Sequence, residues 1–111
     1  MANYFLCNKD ELPTNSSKSF TVDIETGPLE LFVVTQDEGI FAYKNQCPHL
    51  GIPLNWQPDK FLSNEETHIQ CSTHGALFTF EKGYCIVGPC GGESLTSLPL
   101  EHRDGEVWLV C

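Results

Sequence analysis

Cys47-Pro48-His49-Leu50-Gly51 and Cys71-Ser72-Thr73-His74-Gly75 begin and end the stretch of sequence that decides the fold. Each of these segments, the first arm (residues 47–51) and the second arm (residues 71–75), contains one cysteine, one histidine and a glycine. Two thiolates and two imidazoles suit zinc or an iron–sulfur centre, and they suit magnesium or calcium poorly. Zinc fingers usually pair cysteine with cysteine and histidine with histidine. Here each arm carries one of each, which favours an iron–sulfur centre.

The pattern Cys-x-His, a gap and then Cys-x-x-His-Gly resembles the Rieske [2Fe–2S] proteins. In that family two cysteines hold one iron and two histidines hold the other. The resemblance implies one [2Fe–2S] cluster, with Cys47 and Cys71 on the inner iron and His49 and His74 on the outer iron. It extends over nearly the whole chain, from about residue 4 to about residue 110.

Further residues around the arms also resemble this family. Ala76-Leu77-Phe78 follows the second arm, and Gly88-Pro89 stands where the family places a proline-bearing loop over the cluster. The resemblance implies a cluster-binding subdomain of about residues 45–54 and 70–80, with the proline loop 88–92 as a third wall. Alternatively, residues 88–92 only connect neighbouring segments and have no role at the cluster. Five apolar residues lie in or just after the first arm: Leu50, Ile52, Pro53, Leu54 and Trp56. We expect them either to exclude water from the cluster or to form part of the ordinary core, and the sequence leaves both open.

Alternating apolar residues predict antiparallel strands over most of the chain. Phe20, Val22 and Ile24 indicate a half-buried strand. Residues 29–35 and 40–44 are rich in strand-forming side chains, and Asp37-Glu38-Gly39 between them predicts a hairpin. Asp104-Gly105 predicts a closing hairpin. We therefore expect an all-β, Rieske-like antiparallel sandwich or barrel.

The length and cysteine content fit one reduced domain. A chain of 111 residues with 41% apolar residues buries a modest core without disulfides, so we expect residues 1–111 to form a single Rieske domain. No export signal is recognisable at the start, which predicts a cytoplasmic protein with reduced thiols. Cys7 and Cys111 are then expected to be small buried hydrophobes, whereas Cys85 and Cys90 flank the Gly88-Pro89 turn without an assigned role.

The formal net charge of −9 argues against nucleic acid or an anionic membrane as a partner. The charge suits docking of a small electron carrier onto a basic patch of a reductase or oxygenase. It equally suits plain solubility. No apolar run reaches the length of a membrane-spanning helix, so the anchored Rieske subunits of respiratory complexes match poorly.

Four positions in the arms and just beyond them predict a low reduction potential. High-potential members of the family carry an extra cysteine near each ligand pair, where this chain has Ile52 and Thr73. They also direct a serine and a tyrosine hydroxyl towards the cluster sulfurs, where this chain has Ala76 and Phe78. Losing such hydrogen bonds destabilises the reduced cluster.

The resemblance implies an electron carrier rather than an enzyme. Our first hypothesis is a soluble Rieske-type ferredoxin between a reductase and a terminal oxygenase. An oxygenase catalytic subunit needs two further histidines and a carboxylate for its mononuclear iron. Only His68 and His102 remain, on separate predicted strands or turns, which argues against such a subunit. The alternatives are a small Rieske subunit of a multi-component oxidoreductase such as nitrite reductase, and a structural zinc module without a redox role.

Overall fold

The structure is a computed structural model, and it describes residues 3–13, 16–36, 39–46, 54, 61–63, 68–71, 75–88 and 93–110. Within these ranges the chain forms antiparallel strands and one 3₁₀ turn at Lys9–Glu11, so the predicted all-β class is confirmed. The strands are β1 (Asn3–Asn8), β2 (Ser17–Ile24), β3 (Gly27–Gln36), β4 (Gly39–Lys44), β5 (Ile69–Gln70), β6 (Leu77–Phe78), β7 (Cys85–Val87), β8 (Ser97–Leu98), β9 (Leu100–Arg103) and β10 (Glu106–Val110).

The described strands form three sheets. The central sheet has the order β2-β3-β4-β8, and the terminal sheet has the order β1-β10-β9. The third, which we call the small sheet, has the order β5-β6-β7 and is extended by residues 61–63, where Leu62 bridges to Ile69. The small sheet contains the strands on either side of the second arm.

Strand β3 lies at the centre of the core because it is buried on both faces. Residues 31–35 are all buried, and successive side chains of a strand point to opposite faces. Phe32 and Val34 belong to a core cluster with Ile69 and Phe78 of the small sheet. On the opposite face, Leu31 and Val33 belong to a second cluster with three residues of the terminal sheet, Cys7, Val107 and Leu109. The central sheet is therefore packed between the other two.

Both predicted hairpins are confirmed. Strands β3 and β4 pair from Leu31 opposite Lys44 to Gln36 opposite Gly39. Strands β9 and β10 are joined by Asp104 and Gly105, whose φ angles are 49° and 79°. Two successive positive φ angles define the two-residue turn that best matches the twist of antiparallel strands.

Two differences from the sequence-based expectation concern the central sheet. The sequence Thr26-Gly27-Pro28 predicts a turn, but Pro28 pairs with Asp23 inside the β2–β3 ladder. It lies beyond Leu31, where pairing with β4 ends, so its missing N–H breaks no bond to β4. Strand β8, which pairs with Ala42 and Tyr43 of β4, was not predicted because two residues are too short to show a period.

Candidate metal centre

The second arm occupies the connection between β5 and β6. Cys71 directly follows β5 and is fully buried. Its backbone N–H donates to the Ala76 carbonyl at 2.9 Å, and its own carbonyl accepts from the Gly75 N–H at 2.9 Å. Gly75 adopts a φ of 68°, a left-handed conformation that glycine accepts without strain. The connection that contains His74 is thus closed by backbone bonds, although residues 72–74 themselves lie outside the described ranges.

The first arm follows strand β4. Its predicted ligands, Cys47 and His49, lie outside the described residues, but both flanks of the arm are described. On one side, the Asn45 N–H donates to the Glu30 carbonyl of β3 at 2.9 Å. On the other side, the Leu54 N–H donates to Asn45 Oδ1 at 2.9 Å. Leu54 is fully buried and belongs to the same core cluster as Cys71, so a residue that follows the first arm and the first residue of the second arm share one core.

The start of the predicted proline loop contacts the end of the second arm. Gly88 follows β7 with a φ of 109°, and a Cβ built on it would lie 2.9 Å from both Cα and Cβ of Ala76. Residues 89–92 lie outside the described ranges, so the proposed third wall beyond Gly88 stays a prediction. The contact nevertheless places the beginning of this loop beside the residue that closes the second arm.

Tyr43 joins the central sheet to the small sheet. Its hydroxyl donates a hydrogen bond to the carbonyl of Phe80, just after β6. Burial, followed by the negative charge of Glu81, raises the pKa of Tyr43 to about 12. A second link is the stacking of Phe32 on Phe61, whose ring centroids are 4.3 Å apart. These contacts hold the small sheet, and with it Cys71, against the core.

Sequence reasoning missed the supporting roles of Asn45 and Tyr43. Asn45 precedes the first arm by two positions, and a side-chain amide next to a turn is a common backbone partner. The position of Asn45 in the sequence could therefore have indicated its supporting role. Tyr43 gave no such signal, because its bond to Phe80 spans 37 positions of sequence.

Two of the remaining cysteines are buried in apolar surroundings. Cys7 is 2% exposed, which confirms its predicted role as a small buried hydrophobe. Burial, reinforced by the negative charge of Glu11, raises the pKa of its thiol. Cys85 is also buried, with its thiol donating to the Val87 carbonyl at 3.4 Å. Cys90 and Cys111 lie outside the described residues.

The two histidines outside the arms lie on different sheets. His68 alternates with Ile69 and Cys71 in the sequence, which predicts a surface position, but it is half-buried next to β5. His102 is exposed on β9 of the terminal sheet. Among the described residues there is no group of three or more histidine, cysteine or acidic side chains placed to hold a metal. The two arms are therefore the candidate centre.

The described part of the centre fits an iron–sulfur cluster. Cys71 provides a buried thiol, and the core cluster around it includes Leu54, Ala76 and Phe78, all apolar and buried. Surroundings of this kind exclude water from a metal centre and lower the local dielectric constant. The complete donor set of two cysteines and two histidines matches the mixed ligation of a Rieske cluster.

In the part of the chain that the structure describes, no helix is long and apolar enough to span a membrane.

Comparison with known families gives a match over most of the chain. Residues 2–99 match the Rieske [2Fe–2S] domain. A cholesterol 7-desaturase of Caenorhabditis elegans is 24% identical over 112 aligned residues, which cover 96% of this chain and 25% of that protein. The menaquinol:cytochrome c reductase iron–sulfur subunit of Geobacillus thermodenitrificans is 30% identical over 83 residues, which cover 74% of this chain and 47% of that protein. The chain thus spans a quarter of the length of the desaturase and about half of the length of the reductase subunit.

Solved structures show the same fold. The ferredoxin of carbazole 1,9a-dioxygenase from Nocardioides aromaticivorans IC177 superimposes with a TM-score of 0.73 at 18% identity, covering 98% of this chain and 97% of that one. A chain in the complex of reduced oxygenase and oxidized ferredoxin in carbazole 1,9a-dioxygenase gives a TM-score of 0.74 at 20% identity, covering 96% of this chain and 91% of that one. Because the family match spans residues 2–99 of 111, the chain belongs to the Rieske [2Fe–2S] domain family and carries one [2Fe–2S] cluster, a centre for electron transfer.

Proposed function

We propose that this protein is a Rieske-type ferredoxin that carries single electrons between a reductase and a terminal oxygenase or similar oxidoreductase. In this proposal Cys47, His49, Cys71 and His74 hold the cluster, and the chain is a component of an oxidoreductase system rather than an enzyme itself. The observation that carries the proposal is the burial of Cys71 in a loop closed by two backbone hydrogen bonds. A ligand fixed in this way moves little when an electron arrives, which is what electron transfer requires.

The ligand set determines how readily the centre accepts charge. When bound, the cluster takes up and releases one electron. Cys47 and Cys71 contribute two negative charges as thiolates, whereas the neutral imidazoles of His49 and His74 contribute none. This set carries two fewer negative charges than four cysteines, so reduction is electrostatically easier than in a four-cysteine ferredoxin.

Within the family range of about −150 to +300 mV, we place this protein at the low end. Ala76 and Phe78 are almost completely buried beside the second arm, and neither carries a hydroxyl. These two side chains therefore donate no hydrogen bond to a cluster sulfur, and the reduced, more negative cluster lacks that stabilisation.

Exposed apolar side chains next to the second arm support docking of a protein partner. Tyr84, Ile86 and Val87 are 53%, 51% and 51% exposed. Val87 pairs with Leu77 of β6, two positions after Gly75, and it immediately precedes Gly88. A redox partner with an apolar docking site and a basic rim fits this surface, since the chain has a formal net charge of −9.

The test of the cofactor is electron paramagnetic resonance on dithionite-reduced, anaerobically purified protein, with iron and zinc assayed on the same sample. We expect two irons per chain and a reduced-state signal with a low average g value. The Cys71→Ser variant should lose that signal, whereas the Cys7→Ser variant should keep it. One zinc per chain from iron-replete expression, with no signal, would contradict the proposal and support a structural zinc module.

The test of the carrier role is the association state during purification. A ferredoxin should migrate independently of other proteins and should exchange electrons with an added reductase. Persistent co-purification with a large enzyme would instead support a fixed subunit of a multi-component oxidoreductase, such as the small subunit of a nitrite reductase.

We also propose a cytoplasmic location. The free thiols of Cys7 and Cys85 are buried, as is common for reduced intracellular cysteines. Cell fractionation checks this, and recovery of the protein in an exported fraction would contradict it.

A further inference from the structure

We propose that Asn45 is a positioning residue for the cluster, because its side-chain amide holds together the two segments that flank the first arm. This inference rests on the proposed function, in which Cys47 and His49 are ligands. The clasp is the hydrogen bond from the Leu54 N–H to Asn45 Oδ1, 2.9 Å long. It connects positions nine residues apart, and both proposed ligands of the arm lie between them in sequence.

The Asn45 end of the clasp is anchored to the central sheet. The Asn45 N–H donates to the Glu30 carbonyl of β3 at 2.9 Å, and the neighbouring Lys44 N–H donates to the Thr96 carbonyl at 2.9 Å. Strands β3 and β8 are the neighbours of β4 in the sheet; Glu30 belongs to β3, and Thr96 immediately precedes β8. The two bonds therefore hold the backbone at the end of β4 from both sides. The amide of Asn45 therefore projects from a rigid base.

The Leu54 end is anchored by packing. Its side chain is fully buried in the core cluster that also contains Cys71, Phe32 and Phe61. With both ends held, the clasp fixes the two residues that flank the first arm, Asn45 and Leu54, next to each other. A loop that is already closed in the cluster-free protein loses less conformational entropy when the cluster binds, so cluster binding is more favourable.

The two arms are closed by different means. The described closure of the second arm consists of backbone bonds, from the Cys71 N–H to the Ala76 carbonyl and from the Gly75 N–H to the Cys71 carbonyl. Substitutions other than proline leave the atoms of those bonds in place. The described closure of the first arm depends on one side-chain oxygen, so a single substitution at Asn45 loosens one arm and leaves the other intact. Because the first arm supplies one proposed ligand to each iron, loosening it affects both irons.

The experiment measures the rate of cluster loss from cluster-loaded protein in excess chelator, followed by visible absorbance. Asn45→Ala deletes the acceptor, and we expect loss about fivefold faster than wild type, the effect of one hydrogen bond. Asn45→Asp keeps an acceptor oxygen and should release the cluster within about twofold of the wild-type rate. Asn45→Leu, which keeps the side-chain volume, replaces Asn45→Ala if the latter does not fold.

The matched control is Thr35→Val. This substitution deletes the hydrogen bonds of Thr35 Oγ1 with the Pro13 carbonyl and the Ser16 N–H. Thr35 lies five positions along β3 from Glu30, the residue that bonds the Asn45 backbone. We expect Thr35→Val to lower the midpoint of urea unfolding while the rate of cluster loss stays near wild type. Line broadening of the reduced electron paramagnetic resonance signal should appear in Asn45→Ala and not in Thr35→Val.

The outcomes separate this inference from the proposed function. If wild-type protein shows the Rieske signal and Asn45→Ala loses its cluster at the wild-type rate, the positioning role of Asn45 is wrong and the proposed function is unaffected. Equal acceleration by Thr35→Val, or failure of Asn45→Asp to restore the rate, also overturns the clasp, since global stability would then explain the effect. Absence of the cluster from wild-type protein overturns both.

Discussion

Gly88 packs directly against Ala76, and any side chain at Gly88 would crowd that residue. A Cβ added to Gly88 would lie 2.9 Å from both Cα and Cβ of Ala76, closer than Cβ atoms approach their non-bonded neighbours in proteins. The φ of 109° at Gly88 would also strain an L residue. This contact joins the beginning of the proline loop to the end of the second arm, so the two segments cannot shift independently.

The first prediction is that Gly88→Ala lowers the free energy of unfolding by about 2–4 kcal/mol, because overpacking adds to backbone strain. The matched control is Gly27→Ala. Gly27 has a φ of 123° with nothing within 4 Å of the added Cβ, so only strain applies there. We expect Gly27→Ala to cost about 1–2 kcal/mol in urea unfolding. Equal costs for the two variants would show that the contact with Ala76 contributes nothing.

The second prediction concerns the reduction potential. Ala76→Ser places a hydroxyl at a position that is 1% exposed beside the second arm. A hydrogen bond to a cluster sulfur stabilises the reduced form, and we expect the potential to rise by roughly 60 mV, equivalent to about 1.4 kcal/mol for one electron. Ala42→Ser is the control, since Ala42 is equally enclosed but belongs to the other core cluster. Protein-film voltammetry measures both, and an unchanged potential in Ala76→Ser would contradict the assignment of this position.

The third prediction concerns stability at alkaline pH. The pKa of Tyr43 is about 12 in the folded protein, above its ordinary value of 10.0, because burial and then Glu81 disfavour the phenolate. The stabilisation from this group is complete below the unfolded pKa and is lost as the pH rises from about 10 to about 12. Urea unfolding against pH should show this loss in wild type and a shallower one in Tyr43→Phe.

Tyr43→Phe should also be less stable near neutral pH. The variant loses the hydrogen bond to the Phe80 carbonyl, which costs about 1–2 kcal/mol because a buried acceptor is left without its donor. A Tyr43→Phe variant as stable as wild type at neutral pH, with the same alkaline slope, would contradict the role assigned to this hydroxyl.

The fourth prediction concerns docking. Replacing Ile86 and Val87 with serine should slow electron transfer to the partner about tenfold while leaving the reduction potential unchanged, because apolar contact area is lost outside the centre. Phe5→Ser is the control, since Phe5 is 49% exposed but lies on the terminal sheet, where it contacts Trp108. Stopped-flow mixing with the reductase or oxygenase measures the rates. If Phe5→Ser slows transfer as much as the double variant, the docking surface lies elsewhere.

Local patterns in the sequence predicted most of the strands and both hairpins, whereas the burial of β3 was not predicted although its composition indicates it. The continuous apolar run from Leu31 to Val34 reflects a strand covered on both faces, and such runs are readable without a structure. Asp104-Gly105 has the residue types that a two-residue turn with positive φ requires. The sequence predicts strands of four residues at 67–70, 77–80 and 84–87, but β5, β6 and β7 have only two or three residues. A strand that short has no period to mark its ends.

The sequence by itself determined the all-β class and the identity of the proposed ligands, since residue types and their spacing are local properties of the chain. Only the tertiary structure decided how the arms are held. The bond between Asn45 and Leu54, the contact between Gly88 and Ala76 and the bond from Tyr43 to Phe80 each join segments that no periodicity relates. Such contacts depend on how the sheets pack, and packing is a property of the whole core rather than of any one stretch.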